Sequence, residues 1–84
     1  MQLLIVWRNK QPFKINIDPD KTILELKKAI ASHFNQTYVG FNILNGIDII
    51  DKSNDNSSLS SCGIKRLVRL PDNYDPGSIN ILNI

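Results

Sequence analysis

An α+β fold, a sheet packed against one main helix, is predicted for this 84-residue chain by three observations. Two extended runs at the start are separated by a polar turn, one segment of helical period carries a start signal, and short strand-like runs set off by turn residues follow. A chain of this length buries only about 60% of its unfolded surface and has apolar material for one core. Residues 1–84 are therefore expected to form a single domain.

The first element is a hairpin. Met1, Leu3 and Ile5 form the inward set of its first run, and Leu4 and Val6 point outward. After polar Arg8-Asn9-Lys10-Gln11-Pro12, the second run alternates Phe13, Ile15 and Ile17 with Lys14 and Asn16. Asp18-Pro19-Asp20-Lys21 is a turn, and Thr22-Ile23-Leu24-Glu25 fits a capping box, which starts a helix. Ile23, Leu26 and Ile30 recur at helical spacing and Phe34 closes that stripe, with Lys27 and Lys28 expected on the wet side and Asn35 as the stop.

Phe41–Leu44 and Ile47–Ile50 read as short strands around the turn dipeptide Asn45-Gly46, for which two positive φ values are expected. Lys52–Ser58 is polar and expected to be a flexible surface loop. Leu59 to Ile64 reads as a tight turn in which Gly63 takes a positive φ. Two segments compete for the last core strand, Arg66–Leu70 and Ser78–Ile84. The alternation of Ile79 and Ile81 with Asn80, after the turn signal Pro76-Gly77, favours the second. The expected core is then Leu3, Ile5, Ile15, Ile17, Ile23, Leu26, Ile30, Ile43, Leu59, Ile64, Ile79 and Ile81.

Composition excludes several functions. One cysteine, Cys62, makes neither an internal disulfide nor a cysteine-based metal site, and the one histidine, His33, lies toward the helix end, remote from it in this topology. No catalytic residue, metal ligand or cofactor is expected. The run Leu3–Trp7 is far shorter than the roughly 20 residues that span a bilayer and has no basic segment before it, so no membrane association is expected, and cytosol or nucleus is the expected location. The net charge of +2 is mild, and the cluster Lys65, Arg66 and Arg69 is followed by Asp72 and Asp75 without an aromatic stacking platform. Nucleic acid is not an expected partner.

The order hairpin, helix, two short strands, tight turn and final strand is that of the β-grasp, and the residues carry a closer likeness. Met1-Gln2-Leu3, Asp18-Pro19, Thr22-Ile23 with Leu26, Lys27 and Ile30, then Asn45-Gly46, Leu59-Ser60 and Gly63-Ile64 follow ubiquitin in order, without a gap through Ile30. The chain resembles a ubiquitin-like domain over nearly its whole length. The resemblance implies a mixed sheet of four to five strands on one helix, with insertions near 52–58 and 65–77. It also implies binding of protein partners through the open sheet face.

Ubiquitin-like modifiers are joined to their targets through a terminal Gly-Gly. This chain ends Ile81-Leu82-Asn83-Ile84 and contains no Gly-Gly, so conjugation is not expected of it as it stands. Cys62 falls where ubiquitin has a tyrosine that latches the neighbouring loop, which implies a more mobile loop here.

The candidate partner-binding residues are Leu4, Val6, Trp7, Arg8, Leu44, Asn80 and Leu82. The strand phases that bury Leu3, Ile5, Ile43 and Ile81 turn Leu4, Val6, Leu44 and Leu82 to the open face, a patch of roughly a few hundred Å². Leu44 and Leu82 match apolar patch residues of ubiquitin, whereas Arg8 and Asn80 fall where ubiquitin has a leucine and a histidine. Trp7, at the hairpin turn, is expected to be exposed, as a cover over the sheet edge or as an interface anchor. Two functions follow: a non-catalytic docking module of the ubiquitin–proteasome system, or a small structural subunit of a stable assembly, the chain being a monomer or part of a hetero-complex.

Overall fold

The computed structural model describes residues 1–8 and 10–74. Five strands form one sheet in the order β2-β1-β5-β3-β4, with β1 at Gln2–Val6, β2 at Phe13–Asn16, β3 at Ile43–Asn45, β4 at Asp48–Ile50 and β5 at Leu67–Arg69. β1 pairs antiparallel with β2 and parallel with β5, and β3 is antiparallel to both β4 and β5. Helix α1, Ile23–His33, packs on one side of this mixed sheet, which is the β-grasp arrangement.

Alternation along the strands separates two faces. Leu3, Ile5, Ile43 and Val68 are fully buried beneath the helix residues Ile23, Leu26 and Ile30, joined by Leu59, Ile64 and Leu70. Ile15 and Ile17 pack against this core while remaining partly exposed, as edge-strand positions do. The strand between β1 and β3 is Leu67–Arg69, and this corrects the choice of Ser78–Ile84. Its Val68 supplies the inward side chain expected of Ile79 and Ile81, which lie outside the described residues. Leu4 N–H donates to Arg66 O at 2.8 Å and Leu70 N–H to Val6 O at 2.9 Å, locking β5 to β1.

The helix begins and ends as the residue types predict. Thr22 Oγ1 accepts from Glu25 N–H at 3.2 Å, although the Glu25 carboxylate lies 3.7 Å from Lys21 Nζ. At the other end Asn35 has φ 59°. Gln36 N–H donates to Ala31 O at 2.9 Å and Asn35 N–H to Ser32 O at 3.0 Å, a Schellman closure that satisfies the last carbonyls.

Segment 52–58 is not the loose loop its polarity suggests. Asp51 caps a 3₁₀ turn at Lys52–Asn54. The chain beyond it then lies across the helix N-terminus, where Ser57 O accepts from Ile23 N–H at 2.9 Å and Asp55 O from Leu24 N–H at 3.0 Å. Those amides have no partner within the helix, so the loop completes the helix's hydrogen bonding. Lys27 is the second correction, because it is 1% exposed and not on the wet side. Its ammonium meets Asp55 Oδ1 at 2.7 Å, which joins helix and loop by a charge-assisted hydrogen bond.

The tight turn is also tied down. Ile64 N–H donates to Leu59 O at 3.0 Å, and Asn45 Nδ2 donates to Cys62 O at 3.2 Å and Gly63 O at 3.3 Å, so β3 holds the turn that the resemblance implied would be mobile. Gly63 has φ 74°, as expected. The β3–β4 turn consists of Gly46 and Ile47, since Asn45 is paired with Asp48. Only Gly46 takes a positive φ, 65°, the arrangement of a turn with glycine at its first central position.

Candidate functional site

The outward positions of the sheet build one surface. Leu4 stands beside Lys14 on β2 and Leu67 on β5. Two residues further along the strands, Val6 stands beside Arg69, Arg69 beside Leu44, and Leu44 beside Ile49. Two parallel rows result, Lys14-Leu4-Leu67 and Val6-Arg69-Leu44-Ile49. Leu4, Val6 and Leu44 are half-buried by their neighbours, while Leu67 is 44% and Ile49 64% exposed. Ile47, at the tip of the β3–β4 turn, is 99% exposed and adds apolar surface beside Ile49.

Charge on this face has one sign. Lys14 and Arg69 are exposed, and the remaining outward strand positions are Gln2 and Asn16. Among the described residues neither cation belongs to an ion pair; the two pairs found are Lys21 with Glu25 and Lys27 with Asp55.

Of the residues selected from sequence, Leu4, Val6 and Leu44 come together on this face, and Asn80 and Leu82 lie outside the described residues. The outward positions of the strand between β1 and β3 are Leu67 and Arg69. Trp7 corrects the expectation of exposure: it is 7% exposed, its ring 5.5 Å from those of Phe34 and Tyr74 in edge-on contact. With Phe41, 4.6 Å from Tyr74, these rings close the core at the helix C-terminal end. Arg8 is exposed, but its guanidinium is engaged at that end. Nε donates to Asp72 O at 2.8 Å, Nη2 donates to the same carbonyl, and the guanidinium lies over the Trp7 ring at 4.9 Å. Burial raises the Tyr74 phenol above its usual pKa.

Leu67, Arg69, Ile49 and Ile47 are the members of the surface that the sequence reading did not select. The period-two rule applied to Arg66–Leu70 places Leu67 and Arg69 opposite Val68, and to Asp48–Ile50 it places Ile49 opposite Ile50.

Chemistry does not converge elsewhere among the described residues. His33 is stacked on Phe13 with ring centroids 3.6 Å apart, and Cys62 packs against the core from the tight turn. No group of three metal-ligating side chains occurs among them. Among the described residues no helix is long and apolar enough to cross a membrane.

Solved structures with the same fold are ubiquitin-like domains. The ubl5 domain from the polyubiquitin locus of T. thermophila is similar at a TM-score of 0.74 and 22% identity, over 90% of this chain and 96% of that one. The UBL domain of Plasmodium falciparum Dsk2 is similar at a TM-score of 0.68 and 25% identity, over 83% of this chain and 93% of that one. No protein-family model and no curated protein matches the chain. The chain has the ubiquitin-like β-grasp fold, in a class of domains that is generally non-catalytic and mediates protein–protein contacts.

Proposed function

We propose that this chain is a non-catalytic docking module that presents its open sheet face to protein partners of the ubiquitin–proteasome system, in the cytosol or nucleus. The observation that carries the reading is the cluster of Leu4, Leu67, Val6, Leu44 and Ile49 gathered around Arg69 on one side of the sheet, away from the core. A cluster of this kind exceeds the scattered apolar residues normal on a surface and marks an interaction site. The ubiquitin-like fold supports the choice of partner system. The binding set is Leu4, Val6, Leu44, Leu67, Ile49 and Arg69; Trp7 leaves it because its ring is in the core.

The test is an NMR titration of the labelled chain with a proteasomal ubiquitin-receptor domain. Amide shifts should move along both rows of the open face, and Leu44→Ala should weaken binding by about 1 to 3 kcal/mol. Shifts confined to the helix, or unchanged affinity, overturn the reading. A second reading, a subunit of a stable assembly, is favoured by the 99% exposure of Ile47, which carries the apolar surface beyond the sheet face. Co-elution of the native chain with fixed partners on size exclusion separates the two.

A further inference from the structure

We propose that Asn45-Gly46 is a self-modifying site, at which the Asn45 amide converts to aspartate or isoaspartate and so releases the 59–64 turn from β3. The fold's own demands put this dipeptide there. Glycine suits the first central position of the β3–β4 turn, where φ is 65°. Asparagine suits the position before it, because Nδ2 donates to Cys62 O at 3.2 Å and to Gly63 O at 3.3 Å, and two carbonyls accept only a donor between them. Of the ten asparagines in the chain, Asn45 is the one followed by glycine. Glycine carries no side chain to hinder attack by its own nitrogen on the preceding amide. Gly46 is exposed, nothing stands within 4 Å of where a Cβ would project, and its N–H donates to no backbone carbonyl among the described residues.

The reaction needs water and no enzyme. The Gly46 nitrogen gives its proton to solvent and its electron pair forms a bond to Asn45 Cγ; the Cγ–Nδ2 bond breaks and the nitrogen leaves as ammonia. Water then opens the cyclic imide at either carbonyl, giving aspartate or isoaspartate, the latter with an extra carbon in the main chain. Nothing is oxidised or reduced, and the ammonia is lost, so the change is one-way. Where the donor stood, a carboxylate now faces the Cys62 and Gly63 carbonyls with lone pairs alone. It also stands opposite Asp48 in the β3–β4 pair, and like charges directly opposite weaken pairing. Both effects act on the contact that holds the turn, which then opens with Cys62 on it. The two hydrogen bonds also restrain the reaction, since Cγ swings to the Gly46 nitrogen only when they break. Conversion therefore starts from the locally open state and, once made, keeps it open.

The experiment incubates the folded 84-residue chain at neutral pH and follows conversion by peptide mass spectrometry, with a thiol reagent on Cys62, the one cysteine, as the reporter of turn opening. Asn45 should convert ahead of the other asparagines, and about tenfold more slowly than in the same chain unfolded by urea, because two hydrogen bonds must open first. The converted fraction, more acidic and separable by ion exchange, should label at Cys62 about tenfold faster than the parent. Asn45→Asp should label fast without incubation, and Asn45→Ala, which loses the donor without adding charge, should fall between it and the parent. Gly46→Ala, whose added Cβ meets open space, should suppress conversion. Should Asn45→Asp not fold, the converted parent, made after folding, gives the same reading. The proposal is overturned by a folded chain that keeps the Asn45 amide through the time that converts it in urea. It is equally overturned by a converted chain whose Cys62 labels as slowly as the parent, or by a Gly46→Ala chain that converts as fast.

Discussion

Val6 and Trp7 are neighbours in the chain and belong to different parts of the molecule. Val6 turns to the open face and lies beside Arg69, whereas Trp7 turns inward to the rings of Phe34 and Tyr74. The aromatic end is made of side chains from the residue after β1, the helix terminus, the segment before β3 and the turn after β5, packed together in the core. The open face is made of side chains that the fold leaves without partners. Strand phase thus divides this molecule's apolar residues into a set that holds the fold and a set available for binding.

Substitutions can break that division in order of size. Trp7→Ala and Leu26→Ala should each lower stability by about 3 to 5 kcal/mol by opening space in the core, measured by denaturant unfolding. A loss of less than about 1 kcal/mol at Trp7 would put that ring outside the core. Lys27→Met keeps the aliphatic stem and removes the ammonium that meets Asp55, so a loss of about 1.5 to 3 kcal/mol is expected. A double-mutant cycle with Asp55→Asn should show coupling between the two.

Tyr74 gives a sharper test of the aromatic end. Its hydroxyl is buried without a hydrogen-bond partner among the described residues, and burial raises its pKa above the ordinary 10.0. The unfolded chain then loses this proton at lower pH than the folded one, so this contribution to stability is full below about pH 10 and falls as pH rises toward the folded value. Tyr74→Phe should remove that part of the alkaline slope and should not lower stability at neutral pH by more than about 0.5 kcal/mol, because no hydrogen bond among the described residues is lost. An unchanged slope in unfolding curves above pH 10 would place the phenol in water. Leu44→Ala should also have a small effect, below about 1 kcal/mol, since its side chain is outside the core.

Much of this division was legible in the sequence. Thr22 and Glu25 marked the helix start, Asn35 its end, Gly63 the left-handed turn position, and alternation placed Leu3, Ile5 and Ile43 inward. The misplacements share a cause. Trp7 continues the odd phase of Leu3 and Ile5, and Lys27 stands four residues after Ile23 and three before Ile30, so periodicity points both inward while position in the first case and charge in the second argue for the surface. A turn position made tryptophan look exposed, and charge made lysine look wet, because the partner Asp55 is distant in sequence.

The last strand was a different case. Arg66–Leu70 and Ser78–Ile84 both alternate, and the local turn signal Pro76-Gly77 favours the second, whereas the strand between β1 and β3 comes from the first. The first is set beside β1 directly after Ile64, a buried anchor, so only two residues, Lys65 and Arg66, separate that anchor from β5. That long-range constraint is invisible to a local turn signal. The face suffered accordingly, since choosing the later strand put Asn80 and Leu82 where Leu67 and Arg69 stand.

The most direct measurement is made on one variant, Leu44→Ser with Leu67→Ser, read for both folding and binding. An unfolding midpoint close to that of the parent is expected, together with loss of shift changes on titration with a ubiquitin-receptor domain that binds the parent. A variant that unfolds as readily as Leu26→Ala, or one that binds as the parent does, would contradict the separation of core and docking face.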